Sequence, residues 1–144
     1  DNIRLNVYKA IVYIKNLNNK NLTFTDNFYK NIKHQISENS PYLQDDIIIA
    51  RKDIGTSYHL SVVVDDAYQG ITHVVRGDDL LHSTPIQRLL QAILGLPEPM
   101  YHHHKLIKDN NDNKLAKRLL SKPLRSYIND GLTIIELKNK FISR

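Results

Sequence analysis

Apolar positions along the chain change their spacing twice, and the changes divide it into three stretches. In the first, about residues 1–45, Ile3, Leu5 and Val7 alternate with polar neighbours, the period of a short half-buried strand. Tyr8, Ile11, Val12 and Ile14 then recur near helical spacing, and Leu22–Thr25 returns to a strand-like pattern. In the second, about residues 46–108, Ile47–Ala50, Leu60–Val64 and Ile71–Val75 are continuous β-prone runs, which suit strands buried on both faces of a parallel sheet. A helix follows with a marked start: Thr84 is a good N-cap, Pro85 sits at the first helical position and Gln87 can close a capping box. Ile86, Leu89, Leu90, Ile93 and Leu94 line its apolar face, Gly95 ends it and Pro97 bars its return. Strand, helix and the apolar Leu106–Ile107 stretch predict a β-α-β crossover, and hence an α/β fold. In the third, about residues 109–144, Pro123 breaks the chain and two short helices are expected, near 124–130 and 133–142. Gly131 caps the first, and Thr133 with Glu136 forms a capping-box signature on the second. The Asn-rich segments Asn16–Asn21 and Asn110–Asn113 read as turns.

Composition narrows the class. With 144 residues, 41% hydrophobic and 24% charged, the chain has room for one core or for part of a larger domain, and it is not the composition of a disordered chain. It has no cysteine, which excludes a disulfide framework, a thiolate zinc site and a cysteine nucleophile. No apolar run approaches the ~18–20 residues of a membrane span, and no signal-peptide pattern opens the chain. No membrane partner and a cytoplasmic location are expected. Twenty Lys and Arg against fifteen Asp and Glu leave a net charge of +5. That permits a polyanionic partner such as nucleic acid, and equally describes a solvated basic surface.

Three groups of residues could carry chemistry. The runs Leu60–Val64 and Ile71–Val75, read as strands, deliver polar groups at their carboxyl ends: Asp65 and Asp66 after one, Arg76, Asp78 and Asp79 after the other. Ligands of open α/β sheets bind at such ends, and an Arg there can grip a carboxylate with two parallel bonds. Gly77 would let the backbone turn sharply or approach a ligand. Taken singly, Asp65, Asp66 and Arg76 also fit a turn joined by a salt bridge. The segment Lys114–Arg118 sets three cations in five residues, suited to phosphate charge that develops during transfer, or to a solvated basic loop. In His102-His103-His104, a strand would put His102 and His104 on one face. Two His lack the third ligand a zinc site needs, so no protein-bound metal is expected and a local polar or nucleotide-facing role is favoured.

Taken in order, Tyr58-His-Leu-Ser-Val-Val-Val-Asp-Asp66, Gly70-Ile-Thr-His-Val-Val-Arg-Gly-Asp78, Ser83-Thr-Pro85 and Lys114-Leu-Ala-Lys-Arg118 resemble the second half of the catalytic domain of the class I glutamyl-tRNA synthetase family. Leu94-Gly-Leu-Pro97 and Tyr101-His-His-His-Lys-Leu-Ile107 look most like its short branch, the glutamyl-Q tRNA(Asp) synthetases. Val62, where full glutamyl-tRNA synthetases often have Asn, points the same way. The strong match covers about residues 45–120. Residues 1–45 look like the end of the insertion that splits the family's nucleotide fold, with Ile3-Arg-Leu5 and Thr23-Phe-Thr-Asp26 as weak anchors. Residues 46–144 then form the second half of a Rossmann-like catalytic domain.

The resemblance implies roles for individual residues. Tyr58 and Arg76 would bind the glutamate substrate, Arg76 through the side-chain carboxylate. Lys114–Arg118 matches the family's mobile signature loop, with Ala116 and Arg118 in place of its usual serines. Lys114 and Lys117 would be its catalytic lysines, and Lys117 would contact ATP and stabilise charge on leaving pyrophosphate. Asp79 and Leu80 would lie beside ATP. The implied reaction joins glutamate to ATP, with Mg2+ accompanying the nucleotide, as an adenylate, then passes glutamate to tRNA. If Arg144 is the natural end, the short branch is favoured and the acceptor is the queuosine base of tRNA(Asp). A fragment of a full glutamyl-tRNA synthetase charging tRNA(Glu), or a non-catalytic RNA-binding paralogue, are the alternatives. Nothing matches the family's Leu-His-x-Gly-type loop, which belongs to the N-terminal half of the catalytic domain. The chain alone is therefore expected to be inactive, and to associate through an exposed sheet edge or to carry a disturbed sheet.

Overall fold

The computed structural model describes residues 1–18, 22–28, 32–37, 39–40, 43, 45–109, 114–115 and 121–141. They form two compact units, Asp1–His104 and Lys105–Arg144. The first unit is α/β. Its elements are β1 (Ile3–Leu5), α1 (Val7–Asn18), β2 (Leu22–Asp26), β3 (Ile32–Ile36), β4 (Ile47–Arg51), β5 (Gly55–Thr56), α2 (Tyr58–Tyr68), β6 (His73–Gly77), a 3-10 helix (Asp78–Ser83), α3 (Thr84–Leu94) and β7 (Met100–His104). A three-stranded antiparallel sheet has the order β1-β4-β5, and a four-stranded mixed sheet the order β3-β2-β7-β6. In the mixed sheet β3 is antiparallel to β2, whereas β2, β7 and β6 run parallel.

The expected crossover is present as β6-α3-β7, with its second strand at Met100–His104 rather than at Leu106–Ile107. The strand starts earlier because Met100 N–H bonds the Thr72 carbonyl and continues the ladder with β6. Ile47–Ala50 is a strand, but it pairs antiparallel with β1 and β5 and does not join a parallel sheet. Nor is β6 buried on both faces, since Val75 is 67% exposed.

The run Leu60–Val64 is helical, not extended. Ser57 accepts a hydrogen bond from the Leu60 N–H and caps α2, and Gly70, at φ 68°, closes it while Ile71 N–H bonds the Asp66 carbonyl. With both ends capped, the β preference of three valines, a fraction of a kcal/mol each, is outweighed. Leu60, Val63, Val64 and Ala67 in fact stand at i, i+3, i+4 and i+7, and Val63 is the buried member. Asp65 and Asp66 therefore end a helix, not a strand. Helix α1 is present as read, but rotated: Val7, Ala10, Ile11 and Ile14 face the core and Tyr8 is exposed. It also runs on through Asn16, where a turn was expected. The core joins this face to Leu22, Phe24, Ile36, Leu43, Ile47, Leu89 and Tyr101.

Helix α3 ends at Gly95, which takes φ 66°, as the sequence indicates. Its beginning differs. Thr84 is the first helical residue, Ser83 occupies the N-cap position without a side-chain bond, and no capping box forms with Gln87. Leu94 is solvent-exposed, so the buried face is turned toward Thr84, Gln87, Leu90 and Gln91. In the second unit, α4 (Leu124–Asn129) and α5 (Ile134–Phe141) fall where expected. Gly131, at φ 91°, follows the first, and the Thr133/Glu136 capping box is complete in both directions. No helix of the described residues is long and apolar enough to cross a membrane.

The α2 assignment makes a direct prediction. Ser57→Ala should lower the unfolding free energy by about 1 kcal/mol, and Ser57→Asp should retain most of it, as for other N-caps. Urea denaturation of the two variants measures the difference, and a strand over Leu60–Val64 would leave both unchanged.

Candidate functional site

Arg76 is the second-to-last residue of β6, and the parallel ladder sets it opposite His103 of β7. Helix α3 crosses the same end of the sheet with Thr84, Gln87 and Gln91 on one buried stripe, at i, i+3 and i+7. The guanidinium of Arg76 is held at all three nitrogens. Nε donates to His103 Nε2 at 3.1 Å, Nη1 to Gln87 Oε1 at 2.8 Å and Nη2 to Thr84 Oγ1 at 2.6 Å. Its carbon lies 5.4 Å from the centre of the Tyr101 ring. Tyr101 is in turn fixed by a bond from Gln91 Nε2. Thr84 and Gln87, which could have capped α3, are drawn onto Arg76 instead, which accounts for the missing capping box. No carboxylate of the described residues forms an ion pair with Arg76. An Arg has five N–H donors, so one remains on each η nitrogen. Burial lowers the Arg76 pKa, opposed by the oxygens of Tyr101, Tyr58, Asp66 and Asp26, but an Arg stays charged throughout.

Behind Arg76 lies a fully buried pair. Asp26 ends β2 at the last inward position of the alternation Leu22, Phe24, Asp26. Its Oδ2 is 2.6 Å from His103 Nδ1, and both side chains are 0% exposed. Oδ1 accepts from the backbone N–H groups of Phe28 and His103. The tautomer of His103 follows from its partners. Arg76 can only donate, so Nε2 is the acceptor and Nδ1 carries the proton toward Asp26. The Thr84 hydroxyl, 2.9 Å from Nε2, accepts from Arg76 and can donate to the same lone pair. Burial would raise the Asp26 pKa, but the bonds from His103 and the Phe28 and His103 backbone hold it below the ordinary range. Burial pushes His103 down, the Asp26 hydrogen bond opposes this and the Arg76 charge adds to it. The pair is thus an aspartate anion beside a neutral imidazole.

The first turn of α2 and the 3-10 helix bring further groups near Arg76. Tyr58 opens α2, is 55% exposed, and lies close enough for its oxygen to act on Arg76. Its neighbour His59 is half-buried with Nδ1 unbonded among the described residues. Burial, then repulsion from the neighbouring His82 and Arg76 side chains, keeps the His59 pKa low. Asp66, in the last turn of α2, is pushed up by burial and by Asp65 and drawn down by Arg76. Asp79 and Leu80 are half-buried in the 3-10 helix that follows Arg76. Gly77 has an ordinary φ of −65°, so the turn expected of it does not need a glycine.

Of the residues expected from sequence to form a site, Tyr58 and Arg76 come together, and Asp79 and Leu80 follow in the adjoining element. Lys114 belongs to the second unit, where it makes an isolated antiparallel bridge with Lys108. Lys117, Ala116 and Arg118 lie outside the described residues. The His run is a strand as expected, yet the important member is His103, on the face opposite His102 and His104. No group of three or more His, Asp or Glu that could hold a metal ion occurs among the described residues. Asp26, Thr84 and Gln87 were not among the expected site residues, and His103 was expected only as a member of the His run with a local polar or nucleotide-facing role. For Asp26 and His103 the signal was the strand alternation, which places one polar side chain at an inward position in each.

A model of the family described as "tRNA synthetases class I (E and Q), catalytic domain" matches residues 4–136. A glutamyl-Q tRNA(Asp) synthetase of Rhodobacter capsulatus is 50% identical over 93 residues, which are 65% of this chain and 34% of that protein. A glutamate–tRNA ligase of Oleidesulfovibrio alaskensis is 45% identical over 98 residues, 68% of this chain and 21% of its own length. Among solved structures, the glutamate–tRNA synthetase of Elizabethkingia anophelis superposes with a TM-score of 0.56 at 30% identity, covering 69% of this chain and 19% of that one. The chain thus spans about a third or less of the relatives it matches.

The buried neutral imidazole sets a pH dependence. Above 6.5, the ordinary His value, His103 is neutral folded or unfolded and its contribution is complete. As the pH falls from 6.5 toward the lower folded value, the unfolded chain takes up a proton that the folded chain resists, and stability is lost. Urea denaturation on either side of pH 6.5 should show a larger loss in the wild type than in His103→Gln, the remainder coming from His59. Equal losses would exclude His103 as the group responsible.

Proposed function

Since the chain belongs to the class I tRNA synthetases (E and Q), as part of their catalytic domain, we propose that it supplies the amino-acid-recognition part of an enzyme that activates glutamate with ATP and transfers it to tRNA. The observation that carries this reading is the Arg76 guanidinium. It is half-buried, its three nitrogens are bonded to neutral acceptors, and no described carboxylate pairs with it. A ligand carboxylate would complete its charge balance, and the remaining η N–H groups can bond both oxygens. Tyr58, exposed at the start of α2 and near enough for its oxygen to act on Arg76, supports the same reading.

The proposed reaction has two steps. A glutamate α-carboxylate oxygen attacks the α-phosphorus of ATP, pyrophosphate leaves, and the adenylate forms. A nucleophile of the tRNA then attacks the acyl carbon and AMP leaves. Arg76 and Tyr58 orient the glutamate side chain. Asp79 and Leu80 are proposed to lie beside ATP, and Lys114 and Lys117 to stabilise the charge that builds on the departing pyrophosphate. Magnesium would enter with the nucleotide as part of that substrate. Residues 1–45 would be the end of the insertion and residues 46–144 the second half of the catalytic domain, working in the cytoplasm. The identity to glutamyl-Q tRNA(Asp) synthetases, 50% and 52% in two of them, favours the queuosine base of tRNA(Asp) as acceptor. The 45% identity to a glutamate–tRNA ligase supports tRNA(Glu) as the second reading.

In the full-length protein, Arg76→Ala should raise KM for glutamate roughly 30-fold or more, the cost of removing one partner of a partly buried charge pair, and leave KM for ATP nearly unchanged. Glutamate-dependent ATP–pyrophosphate exchange measures both. An unchanged glutamate KM would refute the assignment of Arg76. Transfer of labelled glutamate to queuosine-containing tRNA(Asp), but not to tRNA(Glu), would establish the acceptor, and the opposite result would establish the second reading.

A further inference from the structure

The Asp26–His103 pair takes no part in the reaction above, yet both of its side chains are fully buried. Its contact with Arg76 differs in kind from the other two. The Thr84 hydroxyl can rotate and the Gln87 amide can flip, so each can present an acceptor to Arg76 at little cost. His103 Nε2 is an acceptor in one neutral tautomer only. In the other, its N–H would face the Arg76 Nε–H, donor against donor. The Asp26 carboxylate accepts only, and at 2.6 Å it selects the tautomer with the proton on Nδ1. It is itself anchored by two backbone N–H groups, so it cannot turn away.

We propose that Asp26 and His103 are positioning residues for ligand binding: Asp26 fixes the His103 tautomer, and His103 thereby fixes the rotation of the Arg76 guanidinium, leaving its two free η N–H groups aimed at a ligand carboxylate. The inference rests on the glutamate reading only for the identity of that ligand. Thr84 completes the arrangement by holding Nη2 beside the same imidazole nitrogen.

The test uses Asp26→Asn, which keeps the shape but can donate to Nδ1 and so favours the wrong tautomer. In the full-length protein it should raise KM for glutamate roughly tenfold, about one charge-assisted hydrogen bond, while KM for ATP and kcat change little. In His103→Gln the amide can present its oxygen to Arg76 without help from Asp26. Adding Asp26→Asn to that variant should therefore raise KM no further, a non-additivity that mere loss of packing would not produce. Additive effects, or an unchanged KM in Asp26→Asn while Arg76→Ala raises it, would overturn the proposal. Nitrogen NMR of the unliganded protein gives a second, ligand-free readout. The wild type should show a neutral imidazole with Nδ1 protonated, and Asp26→Asn the reverse; an unmoved tautomer overturns the relay. If Arg76→Ala leaves the glutamate KM unchanged, it is the glutamate reading that has failed, and the NMR signal alone then decides the relay. Should Asp26→Asn not fold, the comparison passes to His103→Gln against His103→Leu: a raised KM only in the second supports the relay, and equal values refute it.

Discussion

The guanidinium of Arg76 is partly withdrawn from water and forms no ion pair with a carboxylate of the described residues, so its charge has to be solvated by dipoles that the fold holds in place. These are the imidazole of His103, the hydroxyl of Thr84, the amide oxygen of Gln87 and the face of Tyr101. Each comes from a different requirement on the chain. The parallel pairing of β6 with β7 sets His103 opposite Arg76. The crossover lays α3 over that end of the sheet, and its polar stripe supplies the other two acceptors. The helix forgoes its own side-chain cap in return, a loss of about 1 kcal/mol where such caps have been removed.

Asp26 brings a third strand into the same arrangement. One anion and one cation are separated by a neutral ring that donates to the first and accepts from the second. Direct contact between them would neutralise Arg76 and leave nothing to attract a ligand. The intervening imidazole keeps the positive charge available at the outer edge while providing a partner for the inner one. Tyr101 packs against the same ring, at 5.9 Å and nearly parallel, and Phe24 meets Tyr101 edge-on. The hydrophobic core thus continues without a break into the polar site.

Locally determined features could be read from the sequence. Gly95 ends α3, the Thr133/Glu136 box opens α5, and β2 follows the alternation of Leu22 and Phe24, because each depends on residues a few positions apart. The valines of α2 misled because β-branching is a weak preference, and Ser57 and Gly70, which decide the matter, lie outside the run. Arg76 was legible as a residue at a strand end. Its acceptors were not. Thr84 and Gln87 carry a sequence signature for a cap, and only the tertiary placement of Arg76 diverts them. His103 looks like its two neighbours until the face of β7 is known, and Asp26 becomes more than a strand end only once β2 lies beside β7.

The separation of Asp26 and His103 along the chain is 77 positions, whereas Arg76, Thr84 and Gln87 lie within a dozen residues of one another. The short-range contacts can form as soon as β6 and α3 meet. The contact that settles the imidazole tautomer has to await the closure of a long loop, the kind of pairing that comes late because its entropy is lost before any bond rewards it. An oriented Arg76 is therefore a property of the completed sheet and not of the segment that carries it. A chain with β6, α3 and β7 assembled but β2 still detached would hold the right residues near one another and yet present a guanidinium free to turn. The proposed recognition of a ligand at this position would in that sense be a readout of whether β2 and β7 have found each other.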